Sequence, residues 1–264
     1  LKRLKSPLRY PGGKSRLSER LVSLFPNDFL EYREPFVGGG SVFFEAKQRH
    51  PNVKFRINDL FQDLYVFWKM LRDYPESVIE NVRRLKSSYS DGRRLYDFLT
   101  APHYPSEIER ASEFFAVNRI TFSGTTLSGG YSDESFHKRF TDSSIERLWK
   151  SSEILTDDVG ITGNDFSHLT DLPGENVFLF LDPPYCIGKK SKLYGKDGNL
   201  HREFDHMRLF ESLRNSPHRW LMTYNDCGFI RELYSDFHIK PIEFAYGMQQ
   251  GKTGKEVVIS NYAA

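Results

Sequence analysis

Five apolar residues, Val177-Phe178-Leu179-Phe180-Leu181, run without interruption into Asp182-Pro183-Pro184-Tyr185. An unbroken apolar run of this length marks a strand buried on both faces, the setting of a parallel strand covered by helices. The two prolines end it, because a central strand needs N–H donors that proline lacks. The chain is therefore committed to an α/β sheet. One turn at the sheet's carboxyl edge carries a carboxylate, a rigid backbone and an aromatic ring. Open sheets of this class bind ligands at that edge. The carboxylate can accept a hydrogen bond from an amino group, and the tyrosine face can stack on a planar ring. Together they suit a nucleobase turned out of its stack.

The rest of the chain supports the same class. After a Gly-containing loop, Arg9-Tyr10-Pro11-Gly12-Gly13-Lys14-Ser15, apolar residues at Leu17, Leu21 and Leu24 predict a helix ending before Pro26. Glu34-Pro35-Phe36-Val37 closes a short strand, and Gly38-Gly39-Gly40-Ser41 forms a sharp turn into a helix. Phe55-Arg56-Ile57-Asn58 reads as a second strand ending at Asp59, followed by helical spacing at Leu60, Leu64, Phe67 and Leu71. From about Tyr74 the texture changes. Val78, Val82 and Leu85 predict one helix, Ile108, Ala111, Phe115 and Arg119 another, and Ile145, Leu148 and Ser152 a third. The polar stretch Ser123 to Ser132 reads as a loop or hairpin. Strand–helix alternation resumes at Gly160-Ile161-Thr162 and continues through Trp220–Thr223, Phe237–Phe244 and Val257–Tyr262, the last two joined through Gly247–Gly251. The expected division is a catalytic α/β domain over 1–72 and 152–264, with a smaller, mainly helical insert over 73–151.

A net charge of +2 over 264 residues leaves it to local clusters to decide for or against a polyanionic partner. The two cysteines, Cys186 and Cys227, form neither a zinc-type pair nor a disulfide framework, which fits a reducing cytoplasm. The basic amino terminus lacks the apolar core of a signal peptide, and no stretch is long and apolar enough to cross a bilayer. His201, His206 and His218 match no metal-ligand spacing, so no metal is expected.

The glycine turn allows close approach of a ligand to the backbone. Phe43 occupies the place of the third glycine of a dinucleotide fingerprint, which argues against a pyrophosphate site. Asp59 follows at roughly the 20-residue distance at which an acid meets ribose hydroxyls, although it can equally cap the next helix. Asp165 ends a third strand, where it can also be a turn residue. Gly13-Lys14-Ser15 imitates the tail of a phosphate-binding loop, but Leu8 stands where that loop requires glycine. Lys14 is instead placed to face a carboxylate or a phosphate.

With these motifs in order, the chain resembles the DNA adenine-N6 methyltransferases of the Dam type, which carry a target-recognition insert in mid-chain. The resemblance covers nearly the whole length. It rests on Arg9-Tyr10-Pro11-Gly12-Gly13-Lys14, with Tyr10 where relatives often have tryptophan, on Glu34 to Ser41, on Asn58-Asp59 and on Asp182-Pro183-Pro184-Tyr185. Asn118-Arg119 and Phe140 echo positions near the recognition hairpin. The resemblance implies a Rossmann-like methyltransferase fold with a mostly parallel seven-stranded sheet, and S-adenosylmethionine as donor. It implies cofactor contacts from Tyr10, Lys14, Pro35, Phe36, Gly38, Gly40, Asp59, Asp165, Phe166 and Asp182. Asp182, Pro183, Pro184 and Tyr185 would be catalytic, with the Asp182 carboxylate and the Pro183 carbonyl accepting from the N6 amino group of a flipped adenine.

DNA contacts are expected from Lys189, Lys190 and Lys192 (with Lys196 beyond), and from Arg119, Ser123, Thr125, Lys138 and Arg139 in the insert. The expected partners are double-stranded DNA and a cognate restriction endonuclease, the enzyme acting as a monomer or weak dimer in the cytoplasm of a bacterium or from a phage. Alternatives are an RNA adenine methyltransferase, a protein glutamine methyltransferase, which uses Asn in place of Asp182, or an inactive DNA-binding relative.

Overall fold

The computed structural model describes residues 3–103, 105–126, 129–186, 204–245 and 253–263. Lys189, Lys190, Lys192, Lys196, His201 and the 247–251 connection lie outside the described residues. Seven strands form one sheet: β1 Glu31–Glu34, β2 Lys54–Asn58, β3 Gly160–Thr162, β4 Val177–Leu181, β5 Arg219–Asn225, β6 His238–Ala245 and β7 Thr253–Ser260. Their order is β3-β2-β1-β4-β5-β7-β6, and all run parallel except β7, which is antiparallel to both neighbours. The mostly parallel seven-stranded sheet expected from the sequence is thus present. Its strand order reverses between β1 and β4, which places a crevice at their carboxyl ends.

The period of two along β4 explains why that strand is apolar throughout. Phe178 and Phe180 point into one buried cluster with Phe25, Tyr32 and Phe55, while Val177, Leu179 and Leu181 point into a second with Trp220, Met222, Leu209 and Ile230. The first face is covered by α1 Ser18–Val22, α2 Ser41–Arg49 and α3 Gln62–Asp73; the second by α10 His206–Arg214 and α11 Gly228–Leu233. A short α9, Ser167–Thr170, follows β3.

The stretch expected as an insert, 73–151, holds α4 Pro75–Ser88, α5 Gly92–Thr100, α6 Glu107–Ile120, α7 Asp133–Arg139 and α8 Asp142–Ser152. Two of these helices, α5 and α7, have no counterpart in the sequence reading. Each is set by a local cap: Asp91 accepts from Arg93 N and Arg94 N, and Ser132 from Ser135 N. Helices of nine and seven residues show too few apolar repeats to be read by periodicity. The insert also has no core of its own. Val78, Val82, Leu95, Phe115, Ile145 and Leu148 belong to the same cluster as Phe67 and Trp68 of α3, and the Phe67 and Phe115 rings lie stacked at 6.3 Å.

One buried side chain ties three strand ends together. The Asn58 Nδ2 group donates to Pro35 O (3.0 Å) and Asn164 O (2.9 Å), and its Oδ1 accepts from Thr162 Oγ1 (2.7 Å) and Asn164 N (3.0 Å). Replacing Asn58 by Ala orphans these buried partners and is expected to cost about 2–4 kcal/mol of stability, measured by urea unfolding.

Candidate active site at the carboxyl edge of the sheet

Asp182 leaves β4 at the crevice with both carboxylate oxygens engaged. Oδ2 accepts from Lys14 Nζ at 2.8 Å, and Oδ1 accepts from Thr223 Oγ1 of β5 at 2.7 Å. Lys14 is the buried member of the pair. It also donates to Gly12 O (2.9 Å), approaches Glu256 Oε1 of β7 (3.9 Å) and lies 5.0 Å above the centre of the Tyr185 ring. The carboxylate-facing role expected of Lys14 is therefore met by Asp182. Tyr185 in turn stacks on Tyr224 of β5, with centroids 5.8 Å apart and planes 26° apart. The Tyr224 hydroxyl is hydrogen-bonded to His206 Nδ1, and Tyr224 is fully buried.

The ends of β1 and β2 add two more carboxyl groups. Burial holds the Glu34 carboxyl well above the usual carboxylate range; nearby Asp182 and Asp59 add to the rise, while the Tyr32 hydroxyl, donating at 2.6 Å, opposes it. Asp59 accepts from Gly38 N (2.9 Å) and Phe61 N (3.0 Å), so it braces the glycine turn and caps the approach to α3 at once. Burial nevertheless pushes its carboxyl up to about 6. The glycines of this turn serve packing as well as access. Gly38 has φ +47°, and a Cβ there would come within 3.0 Å of the Tyr10 ring. A Cβ at Gly39 would lie 2.6 Å from Tyr10 Cβ. Gly40, at φ +70°, starts α2 against Trp68. Pro35 supplies the carbonyl held by Asn58.

Beyond β3, Asp165 accepts from Ser167 N (3.1 Å), Ser167 Oγ (2.7 Å) and Arg208 of α10. Burial works against its ionisation, but the Ser167 and Arg208 hydrogen bonds outweigh it and hold the carboxyl low. The Arg208 guanidinium lies 4.4 Å above the Phe166 ring. Phe36, Phe166 and Phe204 form a cluster with centroids 5.6–5.9 Å apart. The structure thus gathers Tyr10, Lys14, Pro35, Phe36, Gly38, Gly40, Asp59, Asp165, Phe166 and the Asp182–Tyr185 turn along one sheet edge. Sequence reasoning assigned no site role to Glu34, which it named only within the glycine-turn motif, nor to Phe204, Arg208, Thr223 or Tyr224. Only Glu34 carried a signal, a charged residue at the end of a buried strand.

In the insert the outcome differs. Arg119, expected to reach DNA, is only 4% exposed within α6, so it is not among the exposed side chains that can read base edges. Burial lowers its pKa to about 9, with Arg147, Arg9 and Arg139 adding repulsion, and its Nε has no hydrogen-bond partner among the described residues. Phe140 is likewise core. Asn118 is buried and stitches two segments together: Oδ1 accepts from Arg9 N (3.1 Å), and Nδ2 donates to Arg9 O (2.6 Å) and Gly124 O (3.1 Å). The stretch read as a loop or hairpin is a tight turn over Phe122–Gly124, closed by a bridge between Thr121 and Tyr131. Ser123 and Thr125 flank its tip, and Phe122 presents an aromatic ring that is 68% exposed. Lys138 and Arg139 are exposed on α7, Lys138 paired with Glu134 at 3.0 Å. His206 and His218 occupy separate places, the latter against Leu172 O and Arg33. The two cysteines, distant in sequence, are neighbours: burial first, and then the Cys227 thiol, raise the Cys186 pKa.

A sequence profile of the D12 class N6 adenine-specific DNA methyltransferases matches residues 10–248. The chain belongs to this family. It is 27% identical to a type II methyltransferase of Lactococcus lactis subsp. cremoris over 96% of this chain and 94% of the relative. It is 25% identical to a type II methyltransferase of Methanocaldococcus jannaschii, over 89% of each chain. With a DNA adenine methylase of Haemophilus influenzae it shares 23% identity over 92% of this chain and 87% of the relative. The protein is thus an enzyme of site-specific DNA methylation at adenine N6, a reaction whose methyl group comes in general from S-adenosylmethionine. No helix among the described residues of the methyltransferase is long and apolar enough to cross a membrane.

Asp59 gives a testable sign. Folding raises its carboxyl from 3.8 to about 6, so the folded state binds this proton more readily than the unfolded chain. The stability it contributes is full below about 3.8 and is lost as the pH rises through about 6. The unfolding free energy of the wild type relative to Asp59→Ala is therefore expected to fall between pH of about 4 and about 6.5, measured by urea titrations at each pH.

Proposed function

We propose that the Asp182–Tyr185 turn holds an adenine flipped out of double-stranded DNA, beside S-adenosylmethionine held by the β1–β3 half of the edge. Bound there, the cofactor would supply its methyl group for direct in-line displacement, the bond to N6 forming as the carbon–sulfur bond breaks and an N6 proton leaving to solvent. The observation that carries this reading is the Asp182 carboxylate, gripped by Lys14 and Thr223 at the switch point of the sheet and adjoining the Tyr185 ring. Each carboxylate oxygen accepts one hydrogen bond there and keeps a lone pair for an amino hydrogen.

The residues present fit the cofactor. The Phe36–Phe166 pair offers apolar faces to an adenine ring, with Asp165 beside it. Asp59 offers an acceptor to ribose hydroxyls, and the Asp182 carboxylate, with the carboxyl oxygens of Glu34 and Asp59 nearby, suits a sulfonium cation. Tyr10, Pro35, Gly38 and Gly40 complete the wall, and Lys14 acts through Asp182. When bound, the cofactor supplies a methyl group on positively charged sulfur. The chain's own part is to hold the acceptor nitrogen. Asp182 and the Pro183 carbonyl accept its hydrogens, aim its lone pair and stabilise the positive charge that grows on it. Pro184 stiffens the turn, and Tyr185 supplies a stacking face worth about 1–3 kcal/mol. Alignment can account for about 7–11 kcal/mol of the barrier.

For DNA, the insert over 73–151 is the reader. Burial, and then repulsion from Arg139, lowers the Arg9 pKa, and burial, then Arg147, Arg9 and Arg139, lowers that of Arg119; the arginines thus gather locally, and Arg9, Arg139 and Arg147 make a concentration of positive charge suited to phosphates. Ser123 and Thr125 lie beside the exposed Phe122 ring, which has the character of a wedge that fills the stack where a base has left. Lys138 and Arg139, with Lys189, Lys190 and Lys192, extend the phosphate contacts. The type II names of relatives support a cognate restriction endonuclease as partner. We place the enzyme, as a monomer or weak dimer, in the cytoplasm of a bacterium or a phage-infected cell.

Three outcomes test this reading. Asp182→Ala and Asp182→Asn should each lower methyl transfer by a factor on the order of 10³, measured with tritiated donor on DNA; near-normal turnover would remove the mechanism. Phe122→Ala should weaken base flipping by about 1–3 kcal/mol, read from the fluorescence of 2-aminopurine at the target position. Log affinity for DNA should fall linearly with log salt, and a flat profile in a filter-binding titration would exclude the proposed phosphate contacts.

A further inference from the structure

The main-chain ladder between β4 and β5 ends at the Leu181–Met222 pair. It cannot continue into the turn, because Pro183 and Pro184 have no N–H to donate. On the other flank, pairing between β1 and β4 has already stopped at Arg33–Leu179. From Asp182 onward the turn therefore depends on side chains. The next three residues of β5 supply them in succession. Thr223 Oγ1 donates to Asp182 Oδ1 at 2.7 Å, Tyr224 stacks on Tyr185 at 5.8 Å, and Asn225 Nδ2 donates to Cys186 O at 3.1 Å.

These three residues are themselves firmly held. Thr223, Tyr224 and Asn225 pair with Val258, Val257 and Glu256 of β7, so β5 stays in a ladder on its far side after leaving β4. Thr223 is fully buried and β-branched, which restricts its χ1 and fixes the direction of its hydroxyl. Lys14, the other partner of Asp182, has a long unbranched stem and reaches the carboxylate from a loop. The lysine supplies charge, and the threonine supplies a direction.

We propose that Thr223 is a positioning residue for Asp182, the working member of a clamp by which Thr223-Tyr224-Asn225 carry the sheet's order into the catalytic turn beyond the end of the main-chain ladder. This rests on the reading of Asp182 as the acceptor of the adenine amino group. Thr223 touches neither substrate nor cofactor in that reading. It sets which carboxylate lone pairs remain open and where they point.

The test uses the full chain carrying Thr223→Val, which keeps the shape and removes the hydroxyl, and Thr223→Ser, which keeps the hydroxyl. Single-turnover methylation of DNA by Thr223→Val is expected to fall about 10- to 100-fold, the effect of one lost hydrogen bond to a charged group. The KM for DNA and the calorimetric Kd for S-adenosylmethionine should stay within about twofold of wild type, and Thr223→Ser should recover most of the rate. A Thr223→Val enzyme with the wild-type rate overturns the proposal, as does a loss confined to KM. A crystal structure of Thr223→Val decides without turnover: a rotated Asp182 carboxylate supports the proposal, and an unmoved one overturns it. If the wild type transfers no methyl group to DNA, the proposed function fails, and the crystal structure alone then judges the positioning role.

Discussion

The ion pair between the buried Lys14 and the partly buried Asp182 is the contact on which the rest of the site depends. It joins residues 168 positions apart. Removing two charges from water costs several kcal/mol for each, so such a pair persists only where further hydrogen bonds satisfy both ends. Here Thr223 completes the carboxylate, while the Gly12 carbonyl and the Tyr185 ring complete the ammonium. The amino-terminal loop is thereby pinned over the sheet edge. Tyr10 then seats on Gly38 and Gly39, and Arg9 is stitched to Asn118 and through it to the Gly124 turn. One ion pair thus sets the relation of the sheet edge, the glycine turn and the insert.

Around that pair ionisable side chains gather in two local clusters. The strand ends of β1, β2 and β4 concentrate carboxyl groups; burial raises the proton affinity of Glu34 and Asp59, and for Glu34 the neighbouring Asp182 and Asp59 add to the rise. Arg9 and Arg119 stand near further arginines, and their proton affinities are lowered by burial first and by that repulsion second. A carboxyl-lined strand edge beside a local cluster of arginines suits a cationic methyl donor and a polyanionic acceptor.

Strand ends were legible because their signals are local. An apolar run stopped by Pro183 and Pro184, and a glycine turn followed by an acid, declare themselves within a few residues. The helices α4, α6 and α8 were legible because their apolar repeats extend over several turns. α5 and α7 were not, since each depends on a single cap, at Asp91 or Ser132, and on few buried residues. Arg119 shows the limit from the other direction. Its place on a helix followed from spacing, but its burial did not, because α6 is covered on all sides only once α3, α4 and α7 pack against it.

By itself the sequence determined the class of sheet, the sheet edge that gathers the polar strand ends and the residues of the Asp182–Tyr185 turn, since these follow from which residues can continue a strand and which cannot. Tertiary structure alone decided what Asp182 touches. Lys14 and Thr223 leave no mark in their neighbours that names a partner, and their roles arise only when the β1–β4 crossover and the β4–β5 pairing bring three distant segments within hydrogen-bond distance. The same holds for Asn118 and Tyr224. A hydrogen bond acts over about 3 Å, and no pattern along a chain encodes that distance between residues so far apart.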